Sequence, residues 1–245
     1  MVQEYMFESF DGTELYGKTD SVADPRGVVV IVHGLCEHQG RYDYLTMRLN
    51  AQGYSVYRFD HRGHGRSKGT KVFYSAFDEI AKDIDVVVDR AIAENPESPL
   101  FIVGHSMGGY GATKLGLRLP EKYAAVASLS GALEMENDYH MRKMRDSDRL
   151  YQELLNIFGT EEEFLASDNC LTRLAEQLYP AKAPRMYVAC GTADFLFGSN
   201  EDFTRRFGEK FSIHYTTEEG AAHTWDFWDR QIEKVLAWLN VPEAE

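Results

Sequence analysis

Positive charge is in short supply. The 245 residues carry 26 Lys and Arg against 39 Asp and Glu, a formal net charge of −13. Nucleic acids and anionic membranes are held by basic faces, so a nucleic acid or stable membrane partner is not expected. A neutral small substrate remains compatible. Long apolar runs are missing as well: VVVIV at 28–32, the longest aliphatic one, is far too short to span a bilayer. The first ten residues, MVQEYMFESF, lack the basic start and apolar centre of a secretion signal. Cysteine is reduced to Cys36, Cys170 and Cys190, without the even count of a disulfide framework or the spacing of a metal site. The three read as reduced thiols of a cytoplasmic protein, each more simply a small core residue than a nucleophile. Repeats and low-complexity tracts are absent too.

What is present is an alternation. YMFESF-DG-TELYGK predicts a hairpin turning on Asp11-Gly12. GVVVIVHG, YSVYRFDHRGHG, PLFIVGHS, YAAVASLSG, RMYVACGTAD and FSIHYTT predict six further strands, the first of them continuous β-branched runs of the kind buried on both faces. Between them lie helical patterns: residues 76–94 put Ile80, Ile84, Val87, Val88 and Ala91 on one face, 107–119 stop at Pro120, and the tail lines up Phe227, Ile232, Val235, Leu236 and Leu239. The expected class is α/β, a mostly parallel sheet with helices on both faces, with its chemistry beyond the carboxyl ends of the strands. Residues 132–182 break the rhythm and are expected to form a short, mainly helical cap insertion, leaving 1–131 and 183–245 as the core. Leu150, Leu154, Leu155, Ile157, Phe158 and Phe164 of the cap suffice for an internal seam, and much of the rest is charged.

One stretch concentrates glycine around a serine: Gly104-His105-Ser106-Met107-Gly108, directly after the strand LFIV and before a helix. A serine there sits on a sharp turn, and small residues two before and two after let strand and helix pass closely. The turn exposes the hydroxyl, and the helix start offers unpaired N–H groups to a developing oxyanion. Serine needs a base to take its proton and a third group to orient that base. In doubly wound hydrolases these follow in the order Ser, acid, His, each after a later strand. Asp194 follows RMYVACGTA, and His223 precedes the last helix. The rival acids Asp202, Glu218 and Glu219 read as solvated. Asp226 and Asp229 suit the first turn of the last helix. His33, His38, His61, His64 and His105 precede the serine, His140 lies in the cap, and His214 lies inside a strand. The loop HGLCEH should supply the second oxyanion donor, with Gly34 permitting the turn and the Leu35 N–H pairing with that of Met107. Cys36 beside it lacks a base in the expected order.

These residues resemble the α/β-hydrolase fold over nearly the whole chain. The first hundred residues are similar to the monoacylglycerol lipase and lysophospholipase group, whose signature is matched by His33, Gly34, Glu37, His38, Arg41 and Tyr42. His61, Arg62, Gly63, His64 and Gly65 also match that group, in which this turn is structural. From about residue 101 the chain is more similar to tributyrin esterases, the esterase D type and bacterial feruloyl esterases. The resemblance implies Ser106 as nucleophile, Asp194 as acid, His223 as base, Leu35 and Met107 as oxyanion donors, and His33, Gly34, Gly104 and Gly108 as motif support, with no metal or organic cofactor. It implies a serine carboxylesterase acting on soluble short-acyl or compact aryl esters. Monoacylglycerol lipase, an S-formylglutathione-type thioesterase and a ligand-binding receptor with this fold stand as alternatives.

Overall fold

A computed structural model describes residues 1–76, 78–137 and 149–239. Eight strands form one sheet: β1 (Val2–Glu8), β2 (Glu14–Asp20), β3 (Gly27–Val32), β4 (Tyr54–Phe59), β5 (Leu100–His105), β6 (Ala125–Leu129), β7 (Arg185–Gly191) and β8 (His214–Glu218). Their spatial order is β1-β2-β4-β3-β5-β6-β7-β8. β1 and β2 pair antiparallel, as do β2 and β4, and every pairing beyond is parallel. This is the α/β-hydrolase fold, and every strand read from the sequence lies within it. The hairpin is present, but its connection is a wider loop over 9–13 rather than a two-residue turn. The Ser9 N–H closes on the Thr13 carbonyl at 2.8 Å, and Asp11 Oδ1 accepts the Thr13 N–H at 3.0 Å. An Asx turn replaces the tight one.

The helices are α1 (Asp43–Ala51), α2 (Asp78–Glu94), α3 (Met107–Arg118), α4 (Arg149–Phe158), α5 (Glu161–Ala166), α6 (Leu171–Gln177), α7 (Phe197–Phe211) and α8 (Trp225–Leu239). Strand side chains alternate between faces, which divides the core in two. Val29 and Ile31 pack with Leu45 and Leu49 of α1 and Ile232 and Leu236 of α8. Val28, Val30 and Val32 pack with Ile84 and Val88 of α2 and Ala112 and Leu115 of α3. Burial on both faces explains why β3, β4 and β5 contain no exposed residue. Asp226 stands in the first turn of α8, whereas Asp229 lies one turn further in.

Within 132–182 the described elements are α4, α5 and α6 and a short 3-10 turn, Pro180–Lys182. α5 starts with a capping box between Thr160 and Glu163. Phe158, Phe164 and Cys170 pack with Leu154 and Leu155. Ile157 departs from that expected seam and is exposed. His140 lies outside the described residues. Among those residues no helix is long and apolar enough to cross a membrane, and no group of His, Cys, Asp and Glu is arranged to hold a metal ion.

Candidate active site

The close approach of strand and helix at Ser106 depends on two absent side chains. A Cβ on Gly104 would meet the Gly108 carbonyl oxygen at 2.0 Å, and one on Gly108 would meet the Val32 carbonyl oxygen at 2.1 Å. Both obstacles are backbone and cannot swing away. Gly108→Ala is therefore expected to destabilise the protein by about 3 kcal/mol. Gly208→Ala in α7, where a Cβ meets nothing within 4 Å, should stabilise by about 0.5–1 kcal/mol. Urea unfolding of the two variants checks the contrast.

The turn carries strain. Ser106 has φ 53° and ψ −120°, a region that L-residues occupy only when the surroundings force it. Its N–H is bonded to the Leu129 carbonyl at 2.8 Å, and its carbonyl accepts the Tyr110 N–H at 3.1 Å. The side chain is thereby held at the carboxyl edge of the sheet. Among the described residues, the Leu35 and Met107 N–H groups have no hydrogen-bond partner.

Asp194 and His223 come together as their positions after β7 and β8 suggest. His223 Nδ1 lies 2.8 Å from Asp194 Oδ2, with the aspartate side chain fully buried and the histidine's one-fifth exposed. The two loops are tied by the Ala193 N–H to the Ala221 carbonyl at 2.9 Å. Gly191 permits the approach, since a Cβ there would sit 2.2 Å from the Ala221 oxygen. Burial alone would raise the Asp194 carboxyl. Hydrogen bonds from His223, the Leu196 N–H and Ser130 outweigh it and hold the group below the usual carboxylate range. The carboxylate therefore stays charged and accepts the Nδ1 proton, leaving Nε2 as the basic nitrogen. Phe195 lies over the His223 ring at 4.7 Å, with Trp228 edge-on at 4.8 Å.

The other candidates sit elsewhere. Asp202 pairs with Arg205, and Glu218 with Arg230. His105 is buried against Trp228, its Nδ1 2.9 Å from Glu37 Oε1. Glu37 also accepts from the Gly34 N–H and the Tyr42 hydroxyl. Cys36 is exposed, with no disulfide, while Cys170 and Cys190 are buried.

A cavity of about 610 Å³ opens beside Ser106. Its lining draws on Leu35 after β3, Val72, Phe73 and Tyr74 from the loop before α2, Met107 and Tyr110 of α3, Met135, Leu154, Ile157 and Phe158 from the 132–182 stretch, and Phe195 and Leu196 after β7. Sequence reading missed the 72–76 wall. Its one signal was the apolar triplet Val72-Phe73-Tyr74 in a polar loop, without any periodicity. Val72 adopts φ 50°, an uncommon conformation for a β-branched residue.

Comparison with known proteins identifies the family and the fold. A family model, Hydrolase_4 (serine aminopeptidase, S33), matches residues 23–169. The chain belongs to the Hydrolase_4 family. That match contains Ser106 and ends before Asp194 and His223. Over 129 residues this Hydrolase_4 chain is 41% identical to a monoacylglycerol lipase of Mycolicibacterium smegmatis, covering 52% of the chain and 46% of the relative. Over 144 residues it is 33% identical to an acetyl esterase of Caldicellulosiruptor saccharolyticus, covering 57% and 54%. These matches span about half the length of the curated relatives. A fluorophosphonate-binding serine hydrolase of Staphylococcus aureus superposes with a TM-score of 0.73 at 21% identity, over 99% of both chains. A monoacylglycerol lipase of Paleococcus ferrophilus gives 0.66 at 24%, over 92% of this chain and 98% of that one. Both share the fold.

Proposed function

We propose that the protein is a serine carboxylesterase in which Ser106 is the nucleophile, His223 the general base and Asp194 its orienting acid. The observation that carries this reading is the strained serine at the sheet edge, flanked by two unpartnered N–H groups and accompanied by the buried Asp194–His223 pair. Ser106 Oγ attacks the ester carbonyl as His223 Nε2 takes its proton. The Asp194 carboxylate holds the imidazole by Nδ1 and stabilises the imidazolium. The Leu35 and Met107 N–H groups receive the oxyanion, each contributing roughly 10²–10³ in rate. The alcohol leaves with the proton from His223, and water then releases the acid by the same route.

Residues 132–182 serve as a cap over the core, and the cavity between cap and sheet edge takes the apolar part of the ester. The substrate is a small soluble ester with a short acyl or compact aryl acid. The cap's Phe164 is spent on its own seam, and the net charge of −13 disfavours anionic lipid surfaces. An aminopeptidase would need carboxylates facing the pocket to hold an amine. Glu136 is instead engaged by Thr172, Cys170 and Arg206, and Glu134 accepts the Asn137 N–H.

One observation favours monoacylglycerol lipase as a second reading. Leu35, Val72, Phe73, Ile157 and Phe195, all at the cavity, are each between 45% and 78% exposed, an apolar rim of the kind that meets lipid. A series of p-nitrophenyl esters from acetyl to palmitoyl separates the two. Rates should fall beyond about eight acyl carbons, because a filled pocket rejects further methylenes. A maximum at long chains, or a jump when the ester forms an interface, would select the lipase. Failure of a fluorophosphonate to label Ser106 would remove the serine mechanism altogether.

A further inference from the structure

The peptide that carries the Leu35 N–H is held by a side chain on its carbonyl. Peptide units are planar and trans, so fixing the Gly34 carbonyl in one direction points the Leu35 N–H in the other. His33 Nδ1 lies 2.6 Å from the Gly34 oxygen, and since a carbonyl only accepts, Nδ1 carries the proton. His33 Nε2 in turn accepts the His61 backbone N–H at 2.9 Å. The next peptide is held separately. The Cys36 N–H donates to His64 Nε2 at 3.2 Å, while His64 Nδ1 donates to the Arg62 carbonyl at 3.0 Å. Cys36 stands at φ 59°, a conformation that a cysteine does not hold without an external tie.

The 60–67 turn supplies the His64 tie directly and braces the His33 tie through the His61 N–H, and that turn is anchored. Arg62 makes two 2.7 Å hydrogen bonds to the fully buried Asp83 of α2. Asp60 accepts the Gln39 and Arg66 N–H groups, each at 2.8 Å. Burial pushes His33 well below its ordinary value and His61 down to about 3, which agrees with neutral rings of fixed tautomer.

We propose that the 60–67 turn is the clamp of the oxyanion loop, and that His64 is a positioning residue for ester hydrolysis that holds the Cys36 N–H and thereby aims the Leu35 N–H at the reacting carbonyl. This goes beyond a structural role for the turn, and it rests on the serine-esterase reading.

The test compares His64→Gln, which keeps an acceptor within reach of the Cys36 N–H, with His64→Met, which has similar length and no comparable acceptor. Kinetics on p-nitrophenyl butyrate are read beside inhibition by an aryl trifluoromethyl ketone. Ser106 Oγ adds to the ketone carbon, the carbonyl electron pair becomes the oxyanion, and the serine proton passes to His223. The corresponding methyl ketone is the unreactive control. His64→Met should lower kcat by about 10-fold or more with KM within about twofold, since part of one oxyanion donor is lost. Affinity for the trifluoromethyl ketone should fall in parallel and that for the methyl ketone should not. His64→Gln should restore most of both.

If the wild type hydrolyses the ester and binds the trifluoromethyl ketone but His64→Met matches it, the role of His64 is overturned and the esterase reading stands. A wild type that does neither removes that reading and this inference with it. Should His64→Met fail to fold, ¹⁵N NMR of histidine-labelled wild type decides. His64 is expected to carry an unprotonated Nε2 whose shift changes when the hemiketal forms. A protonated Nε2, or a shift indifferent to the hemiketal, overturns it.

Discussion

Ser106→Ala is expected to lower ester turnover by on the order of 10⁴–10⁶-fold while the protein stays folded. The hydroxyl is half-buried at the cavity, and the backbone bonds that hold the residue, to the Leu129 carbonyl and from the Tyr110 N–H, do not involve the side chain. Alanine inherits the same φ of 53° and hence the same strain. Glycine at this position is expected to be more stable than alanine by about 1 kcal/mol, although equally inactive. His223→Ala should be nearly as damaging, and the double variant no worse than the worse single one, because both residues act through one proton transfer. Steady-state kinetics on the three variants, with urea unfolding of Ser106→Ala and Ser106→Gly, test all of this. Near-wild-type turnover by Ser106→Ala would end the serine mechanism, and additive losses would separate serine from histidine.

The second large effect is expected at the acid. Asp194→Asn preserves shape but presents an amide N–H₂ or a weaker acceptor to His223 Nδ1. That frees the ring to take the wrong tautomer, and a loss of roughly 10⁴-fold in kcat is expected. Asp202→Asn, which loses an ion pair to Arg205 on α7 and weakens a 3.3 Å hydrogen bond from Asn137, should leave turnover within about twofold. Essential Asp202 with dispensable Asp194 would reverse the assignment. The pH profile follows the same logic. Asp194 is held below the usual carboxylate range, so it stays charged and keeps the base oriented until the pH falls through that lowered value. Hence kcat/KM should climb with pH and level off. A rate that fell as the pH rose would contradict the role of His223.

How far such a site can be read from sequence depends on what makes each part of it. β3, β4 and β5 are legible because burial on both faces writes a continuous apolar run. Asp194 and His223 are legible because parallel strands deliver their carboxyl ends to one edge, so chain order constrains position. Gly104 and Gly108 are legible because a Cβ at either would lie about 2 Å from a backbone oxygen, which leaves room for glycine alone. The wall at 72–76 belongs to an irregular loop, where apolar side chains carry no period. The tie between the Cys36 N–H and His64 joins a backbone group to a ring 28 positions away. A main-chain donor has no letter in the sequence, so only His64 could be seen, and it looked like part of a turn. The width of the hairpin loop was hidden for a similar reason: Asp11-Gly12 suits both a tight turn and the Asx turn that forms.

Two short segments, 72–76 and 154–158, contribute lining residues to the cavity, and neither contributes a strand to the sheet. On the esterase reading, Val72, Phe73 and Ile157 line the cavity yet are exposed, whereas Tyr74, Leu154 and Phe158 also pack into the interior. A library confined to those three exposed positions would sample acyl preference at little cost in melting temperature. The scaffold is conservative and its mouth is free to drift.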